Sequence, residues 1–164
     1  MTHSPGDGKA AGRLISVELD PASIGRARPD VEHERTIAIF DLLDSNQFAL
    51  DAGPPGPYRL MLAIAEDRLR FDVSDAASTP LTSVQLALTS FERLIKDYLI
   101  ICDSYYEAIR SAPPSRIEAI DMGRRGLHDD GCRLLGERLK GKISVDFDTA
   151  RRLFTLICAL HWRG

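Results

Sequence analysis

Between Thr89 and Arg110, apolar side chains recur three and four apart: Phe91, Leu94, Ile95, Tyr98, Leu99, Cys102, Tyr105 and Ile109. At about 3.6 residues per turn, that spacing draws one broad stripe along a helix of five to six turns. Ile100, Ile101 and Ala108 widen the stripe past half the circumference. So apolar a helix has to be covered by neighbours on more than one side, which makes it the expected core helix. Thr89-Ser-Phe-Glu92 reads as a capping box at its start, in which hydroxyl and carboxylate each satisfy an orphan backbone N–H. Pro113 and Pro114 set its end, because proline lacks the donor and biases its predecessor away from helix.

What precedes this helix has the period of strands. Ile15, Val17 and Leu19 alternate with polar residues up to Asp20-Pro21. Tyr58, Leu60, Leu62 and Ile64, then Leu69, Phe71 and Val73 across a charged turn at Glu66-Asp67, form the clearest hairpin pattern. Val84, Leu86 and Leu88 give a further strand, and Phe48-Ala-Leu50 a short extended piece before the Gly53-Pro-Pro-Gly-Pro57 loop. One helix interrupts the strands. It begins at Pro29-Asp30 with acidic residues in its first turn, carries Val31, Thr36, Ile37, Ile39, Phe40 and Leu43, and stops at Asp44-Ser-Asn-Gln47.

The second half reads as helical. Ser115-Arg-Ile-Glu118 has the form of a second capping box, and Ile117, Ile120, Leu127, Leu134, Leu135 and Leu139 keep helical spacing. Gly123, Gly126, Gly131 and Gly136 interrupt them, each at about 1 kcal/mol relative to alanine. Either the segment turns near Asp129-Asp-Gly131, or it is one long helix whose glycines let a neighbour come close; one helix is the preferred reading. Gly141 ends it. A last helix from Asp146 or Asp148, apolar nearly all round, is expected to pack deep against the Thr89–Arg110 helix. The fold class is therefore α+β: a small, mostly antiparallel sheet with one inserted helix, packed against three C-terminal helices. Residues 1–11 read as a disordered tail and 12–164 as a single globular domain.

A net charge of −3 with 44% hydrophobic residues argues against disorder and against nucleic acid as a partner, although ten Lys/Arg face seven Asp/Glu from Pro113 onward. The cysteines, Cys102, Cys132 and Cys158, are widely spaced without a C-x-x-C pair, so free thiols in a reducing compartment are expected, with no disulfide and no zinc site. Neither a signal-peptide pattern nor a membrane-length apolar run is present, which points to a cytoplasmic protein.

Several strings carry a resemblance: VELDPASI, PDVEHERTIAIFDLL, KDYLIICDSYYEAI, PSRIEAIDMGRRGLHDDG, GKISVDFDTARRLFTL and the closing LHWRG. Over roughly Leu14 to Gly164 the chain resembles a family of short alphaproteobacterial proteins catalogued as an uncharacterised protein family. The resemblance implies a cytoplasmic bacterial protein with no assigned activity, and it transfers no catalytic residue.

The densest polar constellation is Asp121-Met-Gly-Arg-Arg-Gly-Leu-His-Asp-Asp130. On a helix, Asp121, Arg124 or Arg125, and His128 share a face, where a carboxylate, a guanidinium and an imidazole could hold an anion and move a proton. The competing reading is a solvated face laced with ion pairs. A second candidate is His161, Trp162 and Arg163 with Arg151 and Arg152 earlier on the same helix, as a stacking and basic platform; the bland alternative is a Trp that caps the core. Glu32-His-Glu-Arg35 has ligand residue types but lacks the H-E-x-x-H spacing, so no metal is expected, and no cofactor motif is present. Two function classes follow. The first is a non-catalytic binding or regulatory module for an unknown protein partner. The alternative is a small enzyme or binder of a phosphorylated or carboxylated metabolite, an anionic small molecule held by the Asp/Arg/His site.

Overall fold

The computed structural model describes residues 12–161. Strand β1 (Leu14–Leu19) leads to helix α1 (Pro29–Asp44), the short β2 (Phe48–Leu50), and a meander of β3 (Tyr58–Ala65), β4 (Arg68–Asp75) and β5 (Pro80–Ala87). Helices α2 (Thr89–Ser111) and α3 (Pro114–Leu139), strand β6 (Ile143–Val145) and helix α4 (Phe147–His161) follow. The class is α+β, as the periodicities indicate.

Two of the three pairings in the main sheet, order β1-β3-β4-β5, are antiparallel, as is the separate β2-β6 pair. The parallel pair is β1 with β3. Parallel neighbours need a crossover, and α1 supplies it by carrying the chain back to the same end of the sheet. The β3–β4 hairpin turns at Glu66 and Asp67, both with positive φ (53° and 58°), as a two-residue turn matched to the strand twist requires. Tyr58, Leu60, Leu62, Leu69, Phe71, Val73, Val84 and Leu86 point into the core. The other face is wet: Arg70 pairs with Asp72 at 2.9 Å, and Ser83 Oγ donates to Asp72 at 2.8 Å.

The helical layer differs from expectation in four respects. Its centre is α4, with nine of its 15 residues buried, whereas α2 buries only Phe91, Ile95, Cys102 and Ala108. Helix α4 also packs mainly between α1 and α3 and touches α2 chiefly where Tyr98 meets Phe154, ring centroids 6.1 Å apart. On α1, the buried face is Val31, Arg35, Ala38 and Leu42, while Ile37 and Phe40 (68% exposed) turn outward. Neither expected capping box forms. Leu88, its N–H on the Asp67 carbonyl, takes the N-cap of α2, and Pro113 takes that of α3, leaving Thr89 and Ser115 already inside their helices. The side chain that caps is Asp146, whose Oδ1 accepts from Thr149 N at 2.9 Å at the start of α4.

Residues 114–139 form one helix, and two of its glycines have a packing reason. A Cβ on Gly123 would lie 2.9 Å from Ile101 Cδ1, and one on Gly131 would enter the Phe154 ring. Gly126 and Gly136 face open space. Alanine at either of those two should therefore raise stability by about 0.5–1 kcal/mol, the helix-propensity difference. Chemical denaturation checks this, and a loss would reveal a neighbour not accounted for.

Candidate functional site

The first turns of α3 lean on the second half of α2 and bring the expected polar residues to that seam. Asp121 Oδ1 accepts from Arg124 Nη2 at 2.5 Å and from Nε at 3.2 Å, and Oδ2 lies 3.0 Å from Arg125 Nη2. Both guanidiniums are thus served by one carboxylate, which the Arg124 hydrogen bond holds below the usual carboxylate range. Arg124 also stacks over the Tyr105 ring, 4.8 Å from its centroid. The structure keeps Asp121 and both arginines on one face of α3, where the arginines point at Asp121.

His128 is drawn elsewhere, because one turn further along α3 the core side meets α4. Its ring packs between Tyr98 and Phe154, centroids 5.2 and 5.3 Å away. Nε2 lies 2.8 Å from Thr155 Oγ1, and Nδ1 lies 3.5 Å from Cys132 Sγ. Thr155 Oγ1 spends its own proton on the Arg151 carbonyl at 3.0 Å. The hydroxyl therefore accepts from Nε2–H, and Nδ1 is left to accept from the Cys132 thiol. Burial, with Arg151 as a second cause, pushes the imidazole pKa below its ordinary value, so the ring is neutral at pH 7. A neutral imidazole with both nitrogens engaged is held as one fixed tautomer.

Beside it, His128, Thr155, Arg151, Arg152, Asp148, Asp41 and Ala38 line a cleft of about 200 Å³ between α1, α3 and α4. His128, Arg151 and Arg152 are the expected site residues that share this concavity. Arg151 lies 3.7 Å from Asp148, and Arg152 Nη1 donates to the Ser45 carbonyl at 3.0 Å. His161, at the far end of α4, donates from Nδ1 to the Ile157 carbonyl at 2.8 Å and borders a different hollow with Ile95, Leu99 and Ile100. Trp162 and Arg163 lie outside the described residues. Thr155 and Cys132, which complete the histidine's surroundings, were legible in outline: the threonine is the one polar break in Leu153–Leu160, and the cysteine is one turn from His128.

All three cysteines are free and buried. Burial raises each thiol pKa, that of Cys132 to about 12 and that of Cys158 well above its ordinary value, so Cys132 beside His128 is a packed thiol and no nucleophile at neutral pH. Native protein should leave a thiol reagent unconsumed where denatured protein reacts fully. Between an unfolded thiol pKa of about 8.5 and the raised native values, the native state keeps protons that the unfolded chain has released; stability should then fall as pH rises from about 9 towards 12. Tm against pH measures this, and a flat alkaline limb would contradict it.

Among the described residues, no helix is long and apolar enough to cross a membrane. Comparison with known proteins places the chain in a family. The sequence profile of the Uncharacterised protein family (UPF0262) matches residues 11–163. A UPF0262 protein of Bradyrhizobium sp. (strain ORS 278) is 56% identical over 163 residues, covering 99% of this chain and 96% of the relative. One of Nitrobacter hamburgensis is 54% identical over the full length of both, and one of Rhodopseudomonas palustris (strain BisB18) is 57% identical over 151 residues, or 92% and 93% of the two chains. No solved structure matches. The chain belongs to the UPF0262 family, as its PDVEHERT, ARRLFTL and LHWRG strings suggest.

Proposed function

We propose that this UPF0262 member is a non-catalytic binding or regulatory module. The observation that supports it is the self-sufficiency of the candidate polar groups. Asp121 answers both Arg124 and Arg125, and the two ring nitrogens of His128 face Thr155 and Cys132, so neither an anion-binding fork nor a free general base points at a common centre. Arg124, half-buried over Tyr105, then serves the α2–α3 seam.

The second reading, a binder or enzyme for an anionic metabolite, draws on the cleft where His128 and Arg151 meet. At about 200 Å³ it is smaller than the roughly 300–1,000 Å³ of ordinary ligand pockets, and Asp41 and Asp148 offset its two arginines. Inorganic phosphate decides between the readings. Bound to the native state it would raise Tm following RT ln(1 + [L]/Kd). The module reading expects no specific rise at millimolar phosphate beyond that of a matched sulfate control, and expects Arg124→Ala to lower Tm by removing the Tyr105 and Asp121 contacts. A saturable rise abolished by Arg125→Ala or Arg151→Ala, both at exposed positions, would overturn it.

A further inference from the structure

Helix α3 presents an outward face that no other element covers among the described residues. Met122, at 69% exposure, is the most exposed large apolar side chain among the described residues, and Ala119, three residues before it, and Gly126, four after it, are exposed on the same side. The face points away from α2, because Ile101 and Tyr105 of α2 meet α3 at Gly123 and Arg124. Gly126 has no heavy atom within 4 Å of where a Cβ would stand, so, unlike Gly123 and Gly131, its absent side chain serves no contact inside the chain.

The charges beside Met122 suggest what lies against it. Glu118 and Arg125 flank it on one side of the helix, nearly equidistant along the axis, and both are exposed. When two copies of such a helix pack antiparallel about a two-fold axis, each flank meets the same flank of the other copy, and a residue k positions before the axis meets one k positions after it. With the axis at Met122, Glu118 comes opposite Arg125 of the second copy, twice over. Met122 packs on its own counterpart, and Ala119 and Gly126 let the two backbones approach. Asp129 comes opposite Ser115, so no like charges face each other. Pairing with Glu118 of the second copy draws the 74% exposed Arg125 side chain off its ion pair with Asp121, which keeps Arg124.

We propose that this face of α3 is a self-association surface, and that its occupant is the α3 helix of a second copy of this chain. The pairing does not depend on the module reading above, which the phosphate measurement tests separately.

Sedimentation equilibrium of the full chain gives the test. A concentration-dependent dimer is expected, weakened by salt as its ion pairs are screened. Met122→Glu should raise the dimer dissociation constant at least about tenfold, and Gly126→Leu should do likewise while leaving the monomer folded, as its melting curve would show. Arg125→Glu alone should weaken the dimer by a similar factor, and Glu118→Arg with Arg125→Glu should restore it to within about threefold, since the pair is re-formed with its signs exchanged. A single-chain mass at all concentrations would overturn the proposal and leave the face to another partner or to solvent. A dimer indifferent to Met122→Glu and to the charge exchange would overturn it equally, by placing the contact elsewhere.

Discussion

Phe154→Ala is expected to lower the free energy of unfolding by about 3–5 kcal/mol, the range for deleting a fully buried aromatic ring. Phe154 is completely buried on the central helix, and its ring edge lies against Tyr98, His128 and the bare backbone of Gly131. The ring lies where the Cβ of any other residue at 131 would be: an added carbon would sit 2.2 Å from Cζ and 2.4–2.5 Å from the two Cε atoms. Gly131→Ala therefore trades a helix-propensity gain of about 1 kcal/mol against an overlap in a packed core, and a net loss of about 1–3 kcal/mol is expected. The two sites are coupled. Combining Gly131→Ala with Phe154→Leu should cost less than the sum of the single changes, because the smaller side chain vacates the space the methyl needs. Urea denaturation of the four proteins measures the coupling, and strict additivity would mean that the ring yields without strain. Leu94, only half-buried on α2, should lose less on truncation.

Arg35→Ala should destabilise by about 2–4 kcal/mol, since two or three buried carbonyls lose their donor at roughly 1–3 kcal/mol each before water enters to relieve them. Arg35 is a charged side chain on the buried face of α1, 6% exposed. Its guanidinium reaches the last turn of α4, donating to the Ala159 carbonyl at 3.3 Å and the Leu160 carbonyl at 3.4 Å, and it also holds the Gly25 carbonyl at 2.9 Å and Glu32 Oε1 at 3.3 Å. A cation beside the carbonyls near a helix C-terminus is favoured by the negative end of the macrodipole. Arg35→Met, which keeps most of the apolar stem, separates packing from hydrogen bonding and should lose nearly as much as alanine. Lysine should recover less than half, because one ammonium cannot span four acceptors held in different directions. If Arg35→Met were within about 0.5 kcal/mol of the parent, the stem would be what matters and the capping account would fail.

These two residues divide what was legible in the chain from what was not. The period-two and period-3.6 patterns determined the elements: the Tyr58–Val73 hairpin and the helices at Pro29, Thr89 and Phe147; from Pro114 to Leu139 they favoured one helix over a turn near Gly131, and tertiary packing decided for one. They also put Asp121 on one face with Arg124 and Arg125, because a helix fixes neighbours at three and four residues whatever surrounds it. The sequence could not rank the helices by depth. Helix α2 has the longer apolar stripe, yet α4 is the one enclosed, since enclosure depends on how many layers meet at a position. Nor could it choose the face of α1: Ile37 and Phe40 look like core, and an arginine does not, until the end of α4 arrives to be capped. His128 shows the same division at the candidate site. Its spacing from Asp121 was readable, but its capture by Thr155 and the rings of Tyr98 and Phe154 was decided by residues on α2 and α4, 26 to 30 positions away, which only tertiary packing brings beside it.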